Sequence, residues 1–379
     1  MRTLRLEIKK VTSSPIIWVF VLICLAYNVL IVVNCGTDEY ADYVAHVSQS
    51  TGVVLGEEFN YNLSALSESE FRAQLAASVS EPDNVFEGYD TGTIAEAYIE
   101  VMNLEGKIAE DMRDKYALLQ NAVDQKAERG DSLTLYFASS TYARHMSLFG
   151  SVMSALSMEG ILISLLVTLY TLGYEHLNRT EQVVYSSKTG RRIMLKKFAA
   201  ACFVVLGVVI LISLLTLAMF FTLNRYGNIW ESNVSSAFNA IRDIVVGGYR
   251  PFVTWHSFTV LSYLLSVVGL SLGIILCFSL LCFIAGTWVR NSYIAFLLVF
   301  LITTLCIVFP MLLPNNSYIR FGLALTPIWL WLKQGLWFTD GGADILWRNF
   351  ETLGVCLSLA VLAVCSALSA IKFKKKELL

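Results

Sequence analysis

Tyr174 to Lys197 is a polar, basic stretch held between two apolar runs, Val152 to Gly173 and Phe198 to Leu223. Each run reaches the roughly 20 apolar residues that a helix needs to cross a bilayer. In hydrocarbon every backbone amide and carbonyl must be bonded within the protein, so only helices and closed barrels can cross. Long runs without alternation select the helix. A basic connector between two spans is expected on the cytosolic side, where lysine and arginine accumulate. The segment 174–197 therefore sets the topology of everything before and after it.

Composition agrees. The chain is 56% hydrophobic and 15% charged, whereas soluble domains are about 45–50% apolar and 25% charged. Apolar runs place spans at 15–33, 152–173, 198–223, 258–286, 293–313 and 353–371. The expected fold class is an all-α polytopic membrane protein with six transmembrane helices. A mostly helical extracytoplasmic domain is inserted after the first of them. Pro15 suits a helix start. Residues 1–14 read as a cytosolic amphipathic segment, in which Leu4, Leu6 and Ile8 alternate with Arg2, Arg5, Lys9 and Lys10. The first run is too long for a cleaved signal peptide and lacks an A-x-A site, so a retained signal anchor is expected. Asn34 ahead of Cys35 argues against a lipid-modified cysteine.

Between Cys35 and Ser147 twenty acids face seven bases, a net charge of −13. An acidic segment after a basic N-terminus and one span belongs outside, which makes 34–147 the extracytoplasmic domain. Ser67 to Glu70 reads as a capping box ahead of Phe71, Leu75 and Val79. A long helix is expected from Thr93 to Arg129, with Ile94, Tyr98, Val101, Leu104, Ile108, Met112, Leu119 and Val123 on its apolar face and Gly130 at its C-cap. Leu133 to Ala138 suits a short strand. By parity 224–257 is also outside, with a short helix around Ser236 to Val246, and so is 314–350. Within the latter, Arg320 to Phe338 is too broken by Pro327 to span and too apolar to be solvated. A re-entrant or interfacial segment with Trp329, Trp331 and Trp337 satisfies both constraints, and Lys333 is expected to reach the headgroups. The tail, 372–379, is expected in the cytosol. Sorted this way, fifteen bases and four acids lie inside, thirteen bases and twenty-five acids lie outside, and Glu159 falls within a span.

No motif of a catalytic centre is present. The chain lacks a Walker A sequence, GxSxG and HExxH, and its four histidines are scattered. Its eight cysteines form no CxxC and no cluster with histidine at metal spacing. No catalytic residue, no metal site, no bound cofactor and no nucleic-acid partner are expected. Glu159 is the one ionisable residue inside a span. A carboxylate there costs several kcal/mol unless it meets a partner or water. It is either a pathway or proton site, or an interfacial residue on a helix that starts later than the apolar run suggests.

One loop carries a family resemblance. After the second span come Glu175, Thr180, Val183-Val184, Ser186-Ser187, Gly190-Arg191-Arg192 and Lys196-Lys197. With one span, a large outside domain and then five spans, this resembles the permease subunits of type-2 ABC exporters. The sequence after Arg290 resembles that family's turn into its fifth span. The resemblance implies a coupling helix docked on a separate ATPase subunit, which would bind the ATP and magnesium. It also implies pairing with an identical or similar permease, and a bacterial cell membrane with both termini cytosolic. Thr180 is placed to N-cap a helix running TEQVVYSS, with Glu181 in its first turn, Val183, Val184 and Tyr185 as contacts, and Gly190 at its end. The function expected is export of an apolar or amphipathic substrate. The alternatives are a mechanotransmitter that uses the Thr93 to Arg129 helix as a lever, and an ATP-independent transporter or receptor.

Overall fold

The computed structural model describes residues 2–80, 83–138, 141–186, 193–240, 253–289 and 291–375. Among them six helices are long and apolar enough to cross a membrane, and the chain is an all-helical, multi-pass membrane protein. Helix α1 (Arg2–Thr12) precedes the first apolar helix, α2 (Pro15–Asn34). The large insertion holds α3 (Glu39–Thr51), α4 (Glu57–Ser64), α5 (Glu70–Val79), α6 (Gly92–Met102) and α7 (Gly106–Arg129). Helix α8 (Thr141–His145) runs through a π-helical turn (Met146–Val152) into α9 (Met153–Leu177). Then follow α10 (Glu181–Ser186), α11 (Ile193–Leu223), α12 (Val260–Trp288), α13 (Ser292–Leu312), α14 (Tyr318–Leu323), α15 (Pro327–Leu332) and α16 (Phe350–Lys375).

The apolar helices lie on the apolar runs, but their ends do not coincide with the ends of the runs. The second runs from Ala143 to Leu177, and the third starts at Ile193 rather than Phe198. At 1.5 Å per residue these helices are about 52 and 46 Å long, against roughly 30 Å of hydrocarbon. Both therefore carry charged residues in regular helix beyond the apolar stretch. The long helix containing α9 is the centre of the bundle: 72% of its apolar window is buried, against 17% for α13. Small side chains make that position possible. At Gly160 even a methyl group would collide with Ile275 of α12.

The three polar segments 34–147, 224–257 and 314–350 fold together at one end of the bundle. Tyr98, Met112, Tyr116 and Val123 share a core with Phe238, Trp255, Phe321 and Leu346. Backbone acceptors are met across the segments. Lys115 Nζ donates to the carbonyls of Gly342 (3.2 Å) and Ile345 (2.8 Å). Trp255 Nε1 donates to Thr339 O at 2.7 Å. Polar segments that follow alternate crossings must emerge on the same side, and a shared core meets that requirement.

The expected helix from Thr93 to Arg129 is not continuous. Asn103 (φ 50) and Gly106 (φ 56) take left-handed conformations, and α6 and α7 fold back on each other. Arg113 grips Glu96 with two bonds, at 2.7 and 3.1 Å. The side-chain amides of Asn315 and Asn316 donate to the carbonyls of Met102 (2.7 Å) and Asn103 (2.9 Å) at the bend. The apolar period continues through the break because both arms bury one stripe; Val101, just before it, is exposed. No lever of that length exists.

Other local expectations move by a few residues. Ser69, not Ser67, caps α5, its Oγ accepting from Arg72 N at 3.1 Å. The strand expected at Leu133 to Ala138 is a single bridge from Thr134 to Val54 followed by a 3-10 turn. A 3-10 segment occupies Val234–Ala240; the rest of the helix expected there lies outside the described residues. In the Arg320 to Phe338 segment, α14 and α15 have six residues each, about 9 Å of helix, so neither crosses. The segment wedges into the bundle end. Trp329 Nε1 donates to Cys306 O of α13 at 2.8 Å, and Trp331 Nε1 to Ser154 O of α9 at 3.0 Å. Trp337 is fully buried and donates to Leu330 O at 2.9 Å.

Lys333 does not reach out to headgroups. It pairs with Asp344 at 2.8 Å, and Arg320 Nη2 holds the other oxygen at 3.1 Å. Burial opposes ionisation of Asp344, but Lys333 and Arg320 outweigh it and hold the carboxyl below its ordinary value of 3.8. Its stabilising contribution is therefore complete above that value and is lost as pH falls through the lower folded-state value. Acidification below about pH 4 is expected to loosen this segment. Tryptophan fluorescence of the purified protein should report the loosening, and Asp344→Asn should show the loosened signal already at neutral pH.

Candidate functional site

The end of the bundle opposite the extramembrane domain holds a group of buried charges. Lys197, at the start of α11, is completely buried and forms an ion pair with Glu175 near the end of α9. Its Nζ also donates to Thr171 O at 3.0 Å. Lys10 of α1 reaches Glu175 at 3.3 Å and Glu7 at 2.8 Å, and its ammonium lies 5.1 Å from the centre of the Tyr174 ring. Glu7 and Glu175 are 2% and 1% exposed. Two acids and two bases thus join α1, α9 and α11 with no net charge.

The position of Glu7 follows from helix geometry. Glu7 and Val11 lie one turn apart and are both buried, while Leu6, expected on the apolar stripe, is 52% exposed. The inward face of α1 is therefore built around an acid, and the ion network compensates for it.

Glu175, the first residue of the loop motif, is sealed inside. It fastens the two stems of the hairpin instead of presenting itself at the tip. Beyond it, Thr180 directly precedes α10, and its carbonyl accepts from Val184 N at 3.1 Å. Glu181 sits in the first turn, 3.3 Å from His176 Nδ1. Val183 is 73% exposed and Val184 half-buried. Tyr185 belongs to α10; its side chain, with Gly190, Arg191 and Arg192, lies outside the described residues.

Glu159 lies well inside its helix and is buried. The helix begins sixteen residues before it, at Ala143, and its side chain is 5% exposed. Asn28 of α2, itself buried, donates Nδ2 to Glu159 Oε2 at 2.9 Å, and the buried Cys24 lies one turn earlier on α2. Oε1 has no hydrogen-bond partner. A carboxyl so placed can hold or release a proton, or accept a cation. A cavity of about 480 Å³ opens between α2 and the start of α9, lined by Tyr27, Asn34, Ser147, Ser151, Met158 and Trp331 among others. Neither Glu159 nor Asn28 lines it, although their chain neighbours Met158 and Tyr27 do.

The chain matches no family model, no characterised protein and no solved structure.

Among the described residues no group of three or more His, Cys, Asp and Glu side chains could hold a metal ion, and all eight cysteines are unpaired. The ion network was missed in the sequence because its members are up to 190 residues apart. The available signal was an acid and a base at matching positions on the two stems of one loop.

Removing one member of a buried ion pair strands the other, which costs about 3–5 kcal/mol. Lys197→Met is expected to lose that much in reversible unfolding in detergent. The double variant Glu175→Leu/Lys197→Met should lose less than the sum of the single losses, with a coupling of about 2 kcal/mol. Strictly additive losses would show that the two groups do not act as a pair.

Proposed function

We propose that this chain is the permease subunit of an ATP-driven ABC transporter. Separate ATPase subunits bind the nucleotide and magnesium, and the permease works as a homodimer or beside a similar chain. The observation that carries this reading is the fastened hairpin of α9, α10 and α11. A short helix with an exposed valine sits at the tip, and the stems below it are tied by buried charges that extend into α1. A push on α10 cannot be absorbed by sliding of one stem past the other, because that would separate Glu175 from Lys197. It passes into α9, the centre of the bundle. The loop motif and the order of spans support the same reading.

The substrate is apolar or amphipathic and moves outward. Its path runs along the α2–α9 seam, where hydroxyl groups, apolar walls and the Glu159 carboxyl meet. The protein lies in a bacterial cell membrane with both termini and the 174–197 loop in the cytosol. This arrangement is testable with single cysteines at Asp90 and Gln182, both exposed, in a background stripped of native cysteines. An impermeant thiol reagent on intact cells should label Asp90→Cys only; labelling of Gln182→Cys would invert the topology.

The coupling role is tested by Val183→Asp/Val184→Asp. Each buried valine contributes roughly 1.5–3 kcal/mol, and an unpaired charge in a contact adds to the loss. Together they are expected to weaken ATPase binding by about 100-fold or more. The variant should reach the membrane at normal levels, because no spanning helix is altered, but should lose its ATPase in pull-downs and lose transport-linked hydrolysis. Lys375→Glu in the tail serves as the charge control. Retention of partner and activity by the double variant would leave an ATP-independent transporter or receptor as the better reading. The mechanotransmitter reading is weakened independently, since its lever is a hairpin.

A further inference from the structure

Where the extramembrane domain meets the ends of α12 and α16 there is a recess of about 190 Å³. Three separate stretches line it: the last turns of α7, Trp255 to Ser257 just before α12, and Arg348 just before α16. Its charged and titratable groups are Lys126, Arg129, His256 and Arg348, with the amides of Asn121 and Gln125 between them. Among the described residues no carboxylate lines it. That is unexpected in a domain whose main segment carries twenty acids and seven bases; an ordinary recess there would be acidic.

The bases at its wall are incompletely compensated. Lys126 is 2% exposed. Its Nζ donates to His256 O at 3.2 Å and lies 3.5 Å from Asp131 Oδ2, whereas well-formed charged bonds measure about 2.7–2.9 Å. Burial lowers its pKa to about 8; Asp131 opposes the shift and Arg129 adds to it. Desolvation and then the charges of Arg348 and Lys126 lower that of His256. Arg129 and Arg348 are exposed at the rim, and among the described residues neither has a carboxylate in ion-pair range. Arg348 lies over the Trp255 ring at 5.4 Å. Cations in the last turn of a helix often merely complement its dipole. That accounts for Lys126 and Arg129, but not for Arg348 and His256, which converge on them from elsewhere in the chain.

The position narrows the ligand. Arg348 stands two residues before α16 and His256 four before α12, at the level where headgroups meet a spanning helix. We propose that this recess binds a phosphate-class anion at the membrane surface, either the headgroup phosphate of a phospholipid or free phosphate. The two guanidinium groups supply planar forks that match phosphate oxygens. Lys126 supplies the buried charge, and the Asn121 and Gln125 amides supply further donors. The volume suits one phosphate group and not a whole amphiphile. Acyl chains of a bound lipid would lie outside, along Leu353, Leu357 and Val361, which α16 exposes. The inference does not depend on the transport reading.

The test uses the full-length protein in a neutral detergent. Native mass spectrometry compares binding of phosphatidylglycerol with that of diacylglycerol, which has the same chains and no phosphate. The wild type is expected to prefer phosphatidylglycerol at least 10-fold, and Arg129→Gln/Arg348→Gln to lose that preference. A parallel arm measures the melting temperature with inorganic phosphate against chloride at equal ionic strength. A rise in the wild type alone, without the lipid preference, assigns the recess to free phosphate. A third arm needs no variant: phosphatidylglycerol or phosphate should slow phenylglyoxal modification of Arg129 and Arg348 at least 3-fold, read by peptide mass. Equal binding by wild type and variant in both arms, or unchanged arginine modification, overturns the proposal.

Discussion

Charges drawn out of water must find each other, and in this protein that requirement decides how one end of the bundle is built. Lys197 has no access to solvent, and Glu7 and Glu175 almost none. None of the three could stay ionised alone in such a place without a large desolvation penalty. Each therefore holds its neighbours in position: α11 against α9 through the Lys197–Glu175 pair, and α1 against α9 through Lys10. Apolar packing along the spans is tolerant of small slides. A pair of buried ions is not, since its energy falls steeply with separation. The register of three helices is thus fixed at the end from which the α10 hairpin projects.

The opposite end is held by different means. No disulfide staples it, and its three contributing segments are separated by whole spans. What joins them is a shared apolar core and a set of long side chains that satisfy distant carbonyls, as Lys115, Trp255 and the asparagines at 315 and 316 do. Because those segments are also the continuations of α2, α9, α11, α12, α13 and α16, the domain is not suspended on linkers. A shift in the relative tilt of the apolar helices has to be taken up inside its core.

The sequence disclosed the apolar helices well, because uninterrupted hydrophobic runs have few structural solutions in a bilayer. It disclosed their ends poorly. Hydropathy stops at the first charge, while hydrogen bonding carries α9 on to Leu177 and starts α11 at Ile193. Periodicity marked the buried stripe from Ile94 to Val123 correctly but could not see the fold-back, since two antiparallel arms on one core leave the spacing almost unbroken. The clue was Asn103 with Gly106, residue types that tolerate left-handed backbone. Glu159 stood out as an ionisable residue in an apolar run, but its partner Asn28 did not, because an amide in a span resembles ordinary packing polarity. Glu175 was marked by the loop resemblance; only its neighbours in space, Lys10 and Lys197, reveal its place in the ion network. The basic recess was illegible for the same reason, being assembled from three stretches that are each unremarkable alone.

The π-helical turn at Met146–Val152 sets the angular phase of the central helix. A π turn holds one residue more than the α-helix around it, and each residue of α-helix advances the side chains by about 100°. Arg144 and His145, above the turn, face the extramembrane domain. Glu159 and Glu175, below it, face α2 and α11. Were the turn to relax to ordinary α-helix by shedding one residue, everything below would rotate by about that angle relative to everything above. Glu159 would leave Asn28 and Glu175 would leave Lys197 together. The wide turn is thus a phase offset that lets one continuous rod serve two sets of partners whose directions differ by a fraction of a revolution.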